Sequence, residues 1–223
     1  MVRVFVTDSH RNMSNKRKLE LMHFFREVKS IDEGRALDQV YFCDWYEKEY
    51  AVKWFEVVAC DGSEIAGYLR CFRNPDTAIE WFIGDVHVKE KYRRQNIATR
   101  MYEKAISEVM EYQSAEKITT SVHCDNTKSI GLHEKMGFKN TGKACTFPHL
   151  CFDEKETAFE KCLYITLPIP NIETEKIVER VLPVWNGPRE KLIEAIEKSK
   201  KGEAVFEVIW CGNRLVGFNY EPD

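Results

Sequence analysis

Short runs of alternating hydrophobic and polar residues recur along the chain and predict β-strands. Residues 52–60 and 64–72 form two such runs on either side of Asp61-Gly62, which is a strong hairpin turn signal. Further strands are predicted at residues 2–7, 78–88, 117–123, 138–147 and 158–167. Helical spacing of apolar residues predicts helices at residues 14–29, 37–49, 97–113 and 127–136, the last of them closed by Gly137.

The segment from Val86 to Arg100 leads from one of these strands through a basic turn into a helix. Apolar residues recur every four positions and mark the buried face of that helix: Ile97, Met101, Ala105 and Val109. The first N–H groups of a helix have no partner inside it and carry partial positive charge, and Arg93 and Arg94 add mobile charge beside them. The segment is therefore predicted to bind an anion such as a pyrophosphate.

Composition narrows the classes of function. The chain has 223 residues, of which 43% are hydrophobic, and its net charge is -3. A nucleic-acid-binding domain usually has a strongly basic face, so that class is not expected. No apolar run reaches the roughly 18 residues of a membrane span, and residues 2–6 are too short for the apolar part of a signal peptide. We therefore expect a soluble, cytoplasmic protein without a nucleic-acid or membrane partner.

Eight cysteines are spread along the chain, and no two of them form a Cys-x-x-Cys pair. Most lie in apolar or strand-like runs, so reduced and buried thiols are the favoured interpretation, and no metal site is predicted. His23, His123 and His149 belong to no motif and are interpreted as structural or surface residues.

Two motifs, in this order, resemble the signatures of the Gcn5-related N-acetyltransferase (GNAT) superfamily. The first follows Val88 and reads Tyr92-Arg-Arg-Gln-Asn-Ile-Ala98, where the family carries Arg/Gln-x-x-Gly-x-Gly/Ala. The second reads Asn126-Thr-Lys-Ser-Ile-Gly-Leu-His-Glu-Lys-Met-Gly-Phe138, where the family carries Asn-x-x-Ala-x-x-Leu/Phe-Tyr-Glu-Lys-x-Gly-Phe. The resemblance covers residues 1–168. It implies an α/β fold with a mixed, largely antiparallel central sheet flanked by helices.

The resemblance also implies an enzyme that moves an acetyl group from acetyl-CoA, as acyl donor, to a primary amine of a small molecule or peptide. The pantetheine arm would pair with the main chain of Val86, His87 and Val88, where a backbone N–H would stabilise the thioester oxygen. The phosphates would bind the turn and the helix start: Arg93, Arg94, Gln95, Asn96, Ile97, Ala98 and Thr99. Asn126 matches the family residue that contacts the pantetheine or fixes the neighbouring backbone.

Two positions depart from the family pattern. Asn96 stands where the family has a glycine, and asparagine tolerates left-handed backbone better than most residues, so the loop is expected to form but to bind acyl-CoA less tightly. His133 stands where the family has the tyrosine that protonates the leaving thiolate. A neutral imidazole can donate one hydrogen bond, so His133 is the candidate acid. The alternative is a wall residue, with the thiolate protonated by water.

No motif specifies the general base. Family members often place it on the strand at positions that here hold Phe82 and Gly84, which cannot act. Glu80 shares their side-chain parity and is the candidate base, with His87 as an alternative and Asp85 as another if the strand carries a bulge. Aromatic residues at helical spacing within residues 41–50 are interpreted as a stripe packed on the sheet. The alternative is that they and the nearby carboxylates, as far as Glu56, form a substrate wall that would suit a cationic amine. The unfilled base positions also leave open another class of function, a catalytically inactive acyl-CoA sensor.

Residues 169–223 exceed the domain that the resemblance covers. They are predicted to form two helices and a hairpin around Gly212-Asn213, and the hairpin resembles the one at residues 52–72 in sequence. The segment is thus either a partial GNAT-like repeat without acyl-CoA motifs or an ordinary amphipathic hairpin. Its open sheet edge could be capped by a partner, so a homodimer is one expectation.

Overall fold

The computed structural model describes residues 2–7, 14–112, 115–168, 173–211 and 214–222. The chain divides into two compact units, Met1–Cys162 and Leu163–Asp223. We predicted the boundary after residue 168, but strand Tyr164–Pro168 pairs with Ala204–Cys211 of the second unit. The strand pattern continues almost unbroken from residue 158 to 167, and it does not reveal which of two sheets a strand joins.

Seven strands of the first unit form one sheet in the order β1-β2-β3-β4-β5-β7-β6. Among these neighbours only β4 and β5 run parallel, which confirms the mixed, largely antiparallel sheet. Their bounds are β1 (Arg3–Thr7), β2 (Trp54–Asp61), β3 (Glu64–Arg73), β4 (Glu80–Val88), β5 (Lys117–His123), β6 (Lys139–Ala144) and β7 (Glu156–Cys162). The predicted strand at residues 138–147 was thus too long, and the one predicted at 158–167 joins most of β7 to most of the strand Tyr164–Pro168.

Four helices accompany this sheet: α1 (Asn15–Lys29), α2 (Glu33–Tyr50), α3 (Ile97–Met110) and α4 (Thr127–Lys135). Ser14 and Asp32 begin α1 and α2 as N-caps, since their side chains accept hydrogen bonds from the backbone N–H groups three residues later. Gly137 follows α4 with a φ of 79°, as predicted for a residue that ends a helix. The helix predicted at 97–113 ends earlier, and residue 113 lies outside the described residues.

The helices cover both faces of the sheet. On β3, Tyr68 packs with Phe24 and Phe25 of α1, whereas at its neighbour Gly67 a Cβ would lie 3.0 Å from Met101 Sδ of α3. Successive residues of a strand point to opposite faces, so α1 and α3 lie on opposite sides. The absence of a side chain at Gly67 lets α3 approach β3 closely, which fixes the position of the α3 N-terminus.

The second unit contains an antiparallel sheet of three strands in the order β10-β9-β8. Its strands are β8 (Tyr164–Pro168), β9 (Ala204–Cys211) and β10 (Arg214–Pro222), and its helices are α5 (Thr174–Val181) and α6 (Arg189–Lys200). The predicted turn residues Gly212 and Asn213 lie outside the described residues. An origin as a partial repeat, and capping by a second copy, stay predictions.

Within the described ranges, no helix combines the length and the apolar character that crossing a membrane requires. The cysteines there are free thiols, and four of them are buried, as expected: Cys43, Cys60, Cys71 and Cys145. Cys124, Cys151 and Cys162 are exposed instead, because they lie at strand ends and in a loop rather than within the core.

Candidate active site

Strands β4 and β5 separate halfway along their length. They pair from Glu80–Lys117 to Ile83–Thr120 and no further. Beyond that point β4 continues through Val86–Val88 and pairs only with β3 on its other side. The main-chain groups that face β5 are therefore left without a strand partner. A ligand with amide groups can bond to them as an added strand would.

A bulge lies in β4 at this fork. Arg70 of β3 is opposite Gly84 and Tyr68 is opposite His87, so two residues of β4 face a single residue of β3. Asp85, one of the two, has a φ of 53°, a left-handed conformation that is uncommon for a residue other than glycine. The condition under which Asp85 joins the site, a bulged strand, is thus met.

A cleft of about 250 Å³ opens at the same place. Asp85 and Glu156 supply its carboxylates, and Gly84 and Ser121 bring the two separating strands to its wall. Its remaining lining is mainly apolar: Phe42, Phe72, Phe82, Leu150, Cys151 and Phe152. An apolar cleft with a few polar groups is the usual form of a small-ligand site.

The basic turn after β4 is fastened to β3 by one carboxylate. Glu64 accepts hydrogen bonds from Lys89 Nζ at 3.2 Å, Lys91 Nζ at 2.7 Å and the Tyr92 hydroxyl at 3.0 Å. The hydrogen bond from Lys91, followed by those from Lys89 and Tyr92, lowers the pKa of Glu64 to about 2 against the opposing effect of burial. The next four residues, Arg93, Arg94, Gln95 and Asn96, are exposed. Arg93 Nε donates to the Val88 carbonyl oxygen at 3.3 Å, and Gln95 Nε2 donates to the Lys91 carbonyl oxygen at 3.2 Å.

Asn96 takes the conformation that its motif position requires. Its φ of 56° and ψ of 21° are left-handed, and its side chain does not cap the helix that starts at Ile97. Ile97 is buried in the core, whereas Ala98 and Thr99 are half-buried. The first N–H groups of α3 are therefore not satisfied by the residue in front of them, which suits an anion site.

A buried ionic network lies behind Asp85. Arg70, which is 1% exposed, donates from Nη1 to Asp85 Oδ2 at 2.7 Å and from Nε to the Tyr68 hydroxyl at 2.7 Å. Tyr68 in turn donates to Glu56, which is fully buried. Lys29 of α1 donates to Asp85 Oδ1 at 2.6 Å. Burial raises the pKa of Asp85, but the Arg70 charge, a hydrogen bond with His87 and the Lys29 charge outweigh it, so the pKa lies well below its usual range.

Sequence reasoning missed this network. The signal that could have predicted it is Arg70 in the middle of an apolar strand, because an arginine is rarely buried there without a partner. It also assigned Glu56 to the substrate wall, because Glu56 lies near the aromatic residues of α2 in sequence. The structure instead buries Glu56 beside Tyr68 and Arg70.

His133 is a packed residue whose ring nitrogens both have partners. Its Nδ1 lies 2.7 Å from the Ser129 carbonyl oxygen, so it carries the proton, and its Nε2 accepts from the Tyr102 hydroxyl at 2.5 Å. The ring is 3% exposed, and burial lowers its pKa despite the opposing effect of the Ser129 carbonyl. His133 does not line the cleft described above, and neither nitrogen is free for a thiolate.

Both carboxylate oxygens of Glu80 also have partners. Its Oε1 accepts from Thr119 Oγ1 at 2.6 Å and pairs with Lys117 Nζ at 3.1 Å, and its Oε2 accepts from Asn74 Nδ2 at 2.8 Å. These contacts join the ends of β4 and β5 where the strands still pair. Glu80 is not among the residues that line the cleft, and the geometry gives it a structural role.

Asn126 accepts a hydrogen bond from the Ser129 N–H at 3.1 Å and thereby caps α4. Its exposed position after β5 matches the backbone-fixing role that the motif implies. Just before it, the described residues contain one group of possible metal ligands, His123, Cys124 and Asp125. His123 Nδ1 already accepts a hydrogen bond from the Asp125 N–H at 3.2 Å. The three possible ligands are consecutive residues of one turn.

A mixed sheet whose two parallel strands fork beside a basic turn that leads into a helix is the architecture that the two sequence motifs implied. The model of the acetyltransferase (GNAT) family matches residues 18–138, more than half of the 223 residues. The chain therefore belongs to the GNAT family of acetyltransferases.

Similar proteins agree with this membership. An N-alpha-acetyltransferase from Sulfurisphaera tokodaii is 31% identical over an alignment of 108 residues, and the match covers 44% of this chain and 64% of that protein. The chain thus spans less than two thirds of that relative. A putative GNAT acetyltransferase structure from Desulfovibrio desulfuricans has a TM-score of 0.56 at 11% identity, over 73% of this chain and 99% of that one. The PaiA N-acetyltransferase of Thermoplasma acidophilum, solved with coenzyme A, has a TM-score of 0.50 at 14% identity, over 72% and 99%. At these identities the two structures support the fold alone.

Proposed function

We propose that this protein transfers the acetyl group of acetyl-CoA to a primary amine, and that the preferred amine is the N-terminal α-amino group of a peptide. The observation that carries the proposal is the coincidence of three features at one point: the β4–β5 fork, the Asp85 bulge and the apolar cleft. The relatives named N-alpha-acetyltransferase support a peptide acceptor over a small-molecule amine.

Acetyl-CoA binds through the main chain and the basic turn. The pantetheine amides pair with the free edge of Val86–Val88, which leaves the side chains of these residues unconstrained. The pyrophosphate lies on the N–H groups of α3, with the exposed Arg93 and Arg94 as counter-charges. This arrangement directs the thioester along β4 towards the fork and the cleft.

The two cleft carboxylates have different roles. Asp85 is held ionised by Arg70 and Lys29, which also balance its charge, so it is a poor base and acts as a hydrogen-bond acceptor for the incoming amine. Glu156 accepts one hydrogen bond, from the Asp153 N–H at 2.9 Å, and forms no ion pair within the described part of the chain. We assign Glu156 as the group that takes the ammonium proton, directly or through water.

An α-amine makes this task easy. Its pKa is near 7.7 to 8.0, so losing a proton at pH 7 costs only about 1 kcal/mol, against roughly 4 to 5 kcal/mol for a lysine side chain. A carboxylate is a weak base, so the cleft fits an α-amine better than a lysine amine.

The reaction then needs no side-chain acid. The amine nitrogen forms a bond to the acetyl carbon, the C–S bond breaks, and the sulfur leaves with the electron pair. A thiol has a pKa near 8.5, so at pH 7 its thiolate is only roughly 2 kcal/mol less stable than the thiol. Water can supply the proton, which agrees with His133 being fully hydrogen-bonded inside the protein.

A free-thiol release assay with acetyl-CoA and a panel of short peptides tests the proposal, with a polyamine as a small-molecule comparison. We expect turnover of free-α-amine peptides and none of N-acetylated peptides. Glu156→Gln should lower kcat by about 100-fold or more. Glu154→Gln, two residues away and exposed, is the matched control and should not change kcat.

The alternative, an acyl-CoA sensor, is favoured by one observation, the structural engagement of both His133 and Glu80. Calorimetric binding of acetyl-CoA without thiol release on any amine would establish the sensor and overturn the enzyme. Equal rates for Glu156→Gln and the unmodified protein would retain the enzyme but overturn the role of Glu156.

A further inference from the structure

A second recess lies on the outer face of α2, beside the cleft. It measures about 340 Å³ and is lined by Asp38, Tyr41, Phe42 and Trp45, which follow one another at helical spacing. Tyr41 and Trp45 are 42% and 50% exposed, which is unusual for two large aromatic residues on one helix turn. Phe42 lines both this recess and the cleft, so the two lie on either side of one ring.

The chemistry of the recess favours a cation. An ammonium or guanidinium is attracted to the faces of tryptophan and tyrosine rings. The chain itself shows this at Tyr41, where Lys18 Nζ lies 5.2 Å from the ring centre. Asp38 forms no ion pair among the described side chains and adds a carboxylate beside Trp45.

The whole helix reinforces this charge. α2 contains five acidic residues and two basic ones, and therefore has a net charge of -3. None of the lining residues belongs to the acyl-CoA turn or supplies a carboxylate to the cleft. The recess thus has no role in the transfer chemistry, although it opens beside the place where the acceptor enters.

The geometry points to a subsite for a lysine or arginine side chain of the acceptor peptide, a few residues beyond the amine that is acetylated. The inference rests on the proposed function. An extended peptide advances about 3.3 Å per residue, and Asp38 lies one helical turn, about 6 Å, from the shared Phe42. A long basic side chain within the first five residues can therefore reach the Asp38 carboxylate and the Trp45 ring while the α-amine stays in the cleft.

Kinetics on a peptide series test the subsite. The peptides share an N-terminal residue and an alanine background, and one lysine is moved through positions two to five, with glutamate in its place as the opposite charge. We expect one lysine position to lower KM by about threefold to tenfold relative to alanine, with kcat unchanged. Glutamate at that position should raise KM.

Two variants then locate the effect. Asp38→Asn and Trp45→Leu should bring the ratio of the alanine KM to the lysine KM close to one. Glu33→Gln removes the same charge from the opposite side of α2 and should preserve the ratio. A lysine preference that survives both Asp38→Asn and Trp45→Leu, or the absence of any lysine preference, would overturn the subsite and leave the proposed function intact.

Calorimetric binding of the same peptides separates this proposal from the transfer reaction. Lysine-dependent binding that disappears in Asp38→Asn supports the subsite even if no thiol is released. If no peptide releases thiol and none binds in a lysine-dependent manner, both proposals are overturned.

Discussion

Replacing Arg70 by methionine should destabilise the first unit far more than replacing its neighbour Lys29. Both cations bind Asp85, but Arg70 is 1% exposed, whereas the side chain of Lys29 is 20% exposed. Removing one partner of a buried ion pair costs about 3 to 5 kcal/mol, because the remaining charge has neither water nor counter-charge. The buried carboxylate that loses Arg70 here is Glu56, which is 0% exposed and lies 3.8 Å from Arg70 Nε. A pair that water reaches contributes about 0 to 1 kcal/mol, which sets the expectation for Lys29→Met.

Hydrogen exchange of peptides from β2 to β4, measured along a urea series, reports this unit separately from the rest of the chain. For a unit of this size, the free energy of unfolding that Arg70→Met removes corresponds to a decrease in Tm of about 6 to 20 °C. The double variant Arg70→Met/Glu56→Gln should recover much of the lost stability. It removes the buried carboxylate that Arg70 pairs with, and the amide oxygen that replaces this carboxylate can still accept a hydrogen bond from Tyr68. Equal losses for Arg70→Met and Lys29→Met, or no recovery in the double variant, would refute the reasoning.

Acid sensitivity provides a second readout of the same network. The folded-state pKa of Asp85 is depressed, so its stabilising contribution is present above the unfolded pKa, near 3.9, and is lost as the pH falls through the folded value. Arg70→Met removes the main cause of the depression. The variant should therefore be less stable at pH 7 and lose less of its remaining stability on acidification.

Three further predictions concern the acyl-CoA turn and the packed histidine. Asn96→Val places a β-branched residue at a φ of 56° and should weaken CoA binding about 5- to 30-fold by calorimetry, whereas Asn96→Gly should bind at least as tightly. Glu64→Gln should loosen the turn and raise the CoA Kd a few-fold at pH 7. The pKa of Glu64 is lowered to about 2 in the folded protein, so the stability that Glu64 contributes is present above pH 4.5 and is lost as the pH falls towards 2; the difference in stability between Glu64→Gln and the unmodified protein should therefore disappear over that range. His133→Phe leaves the Tyr102 hydroxyl without its acceptor, so it should cost about 1 to 3 kcal/mol of stability with kcat within a few-fold; a 100-fold loss of kcat would restore the acid role.

The sequence predicted the order of the elements well because each has a clear local period. Asn96 was expected to adopt a left-handed backbone on residue type alone, and it does. Turn signals such as Asp61-Gly62 predicted strand bounds in the first unit, whereas the helix predicted at 37–49 begins four residues earlier, at Glu33, because its cap Asp32 was not recognised.

The catalytic assignments were not accessible in the same way. Arg70, Glu56 and Asp85 come from three different strands, and whether they meet depends on the strand register and on a bulge that no composition pattern marks. The neighbour that occupies His133 is Tyr102 of another helix, so its engagement is a property of tertiary packing. Glu156, which we propose as the base, was not considered because it begins a strand that was predicted to start two residues later, at residue 158.

The bulge at Asp85 also determines which kinds of mutation the site tolerates. Because the bulge adds one residue to β4, Gly84 and His87 lie on the same face of the sheet although three positions separate them, opposite Arg70 and Tyr68. Deleting Asp85 would leave a regular ladder in which His87 and Val88 keep their partners on β3, and it would remove the carboxylate that Arg70 and Lys29 bind. Deleting Val86 or His87 instead would exchange the faces of the residues that follow, so substitutions at Val86 to Val88 should be far less damaging than a deletion among them.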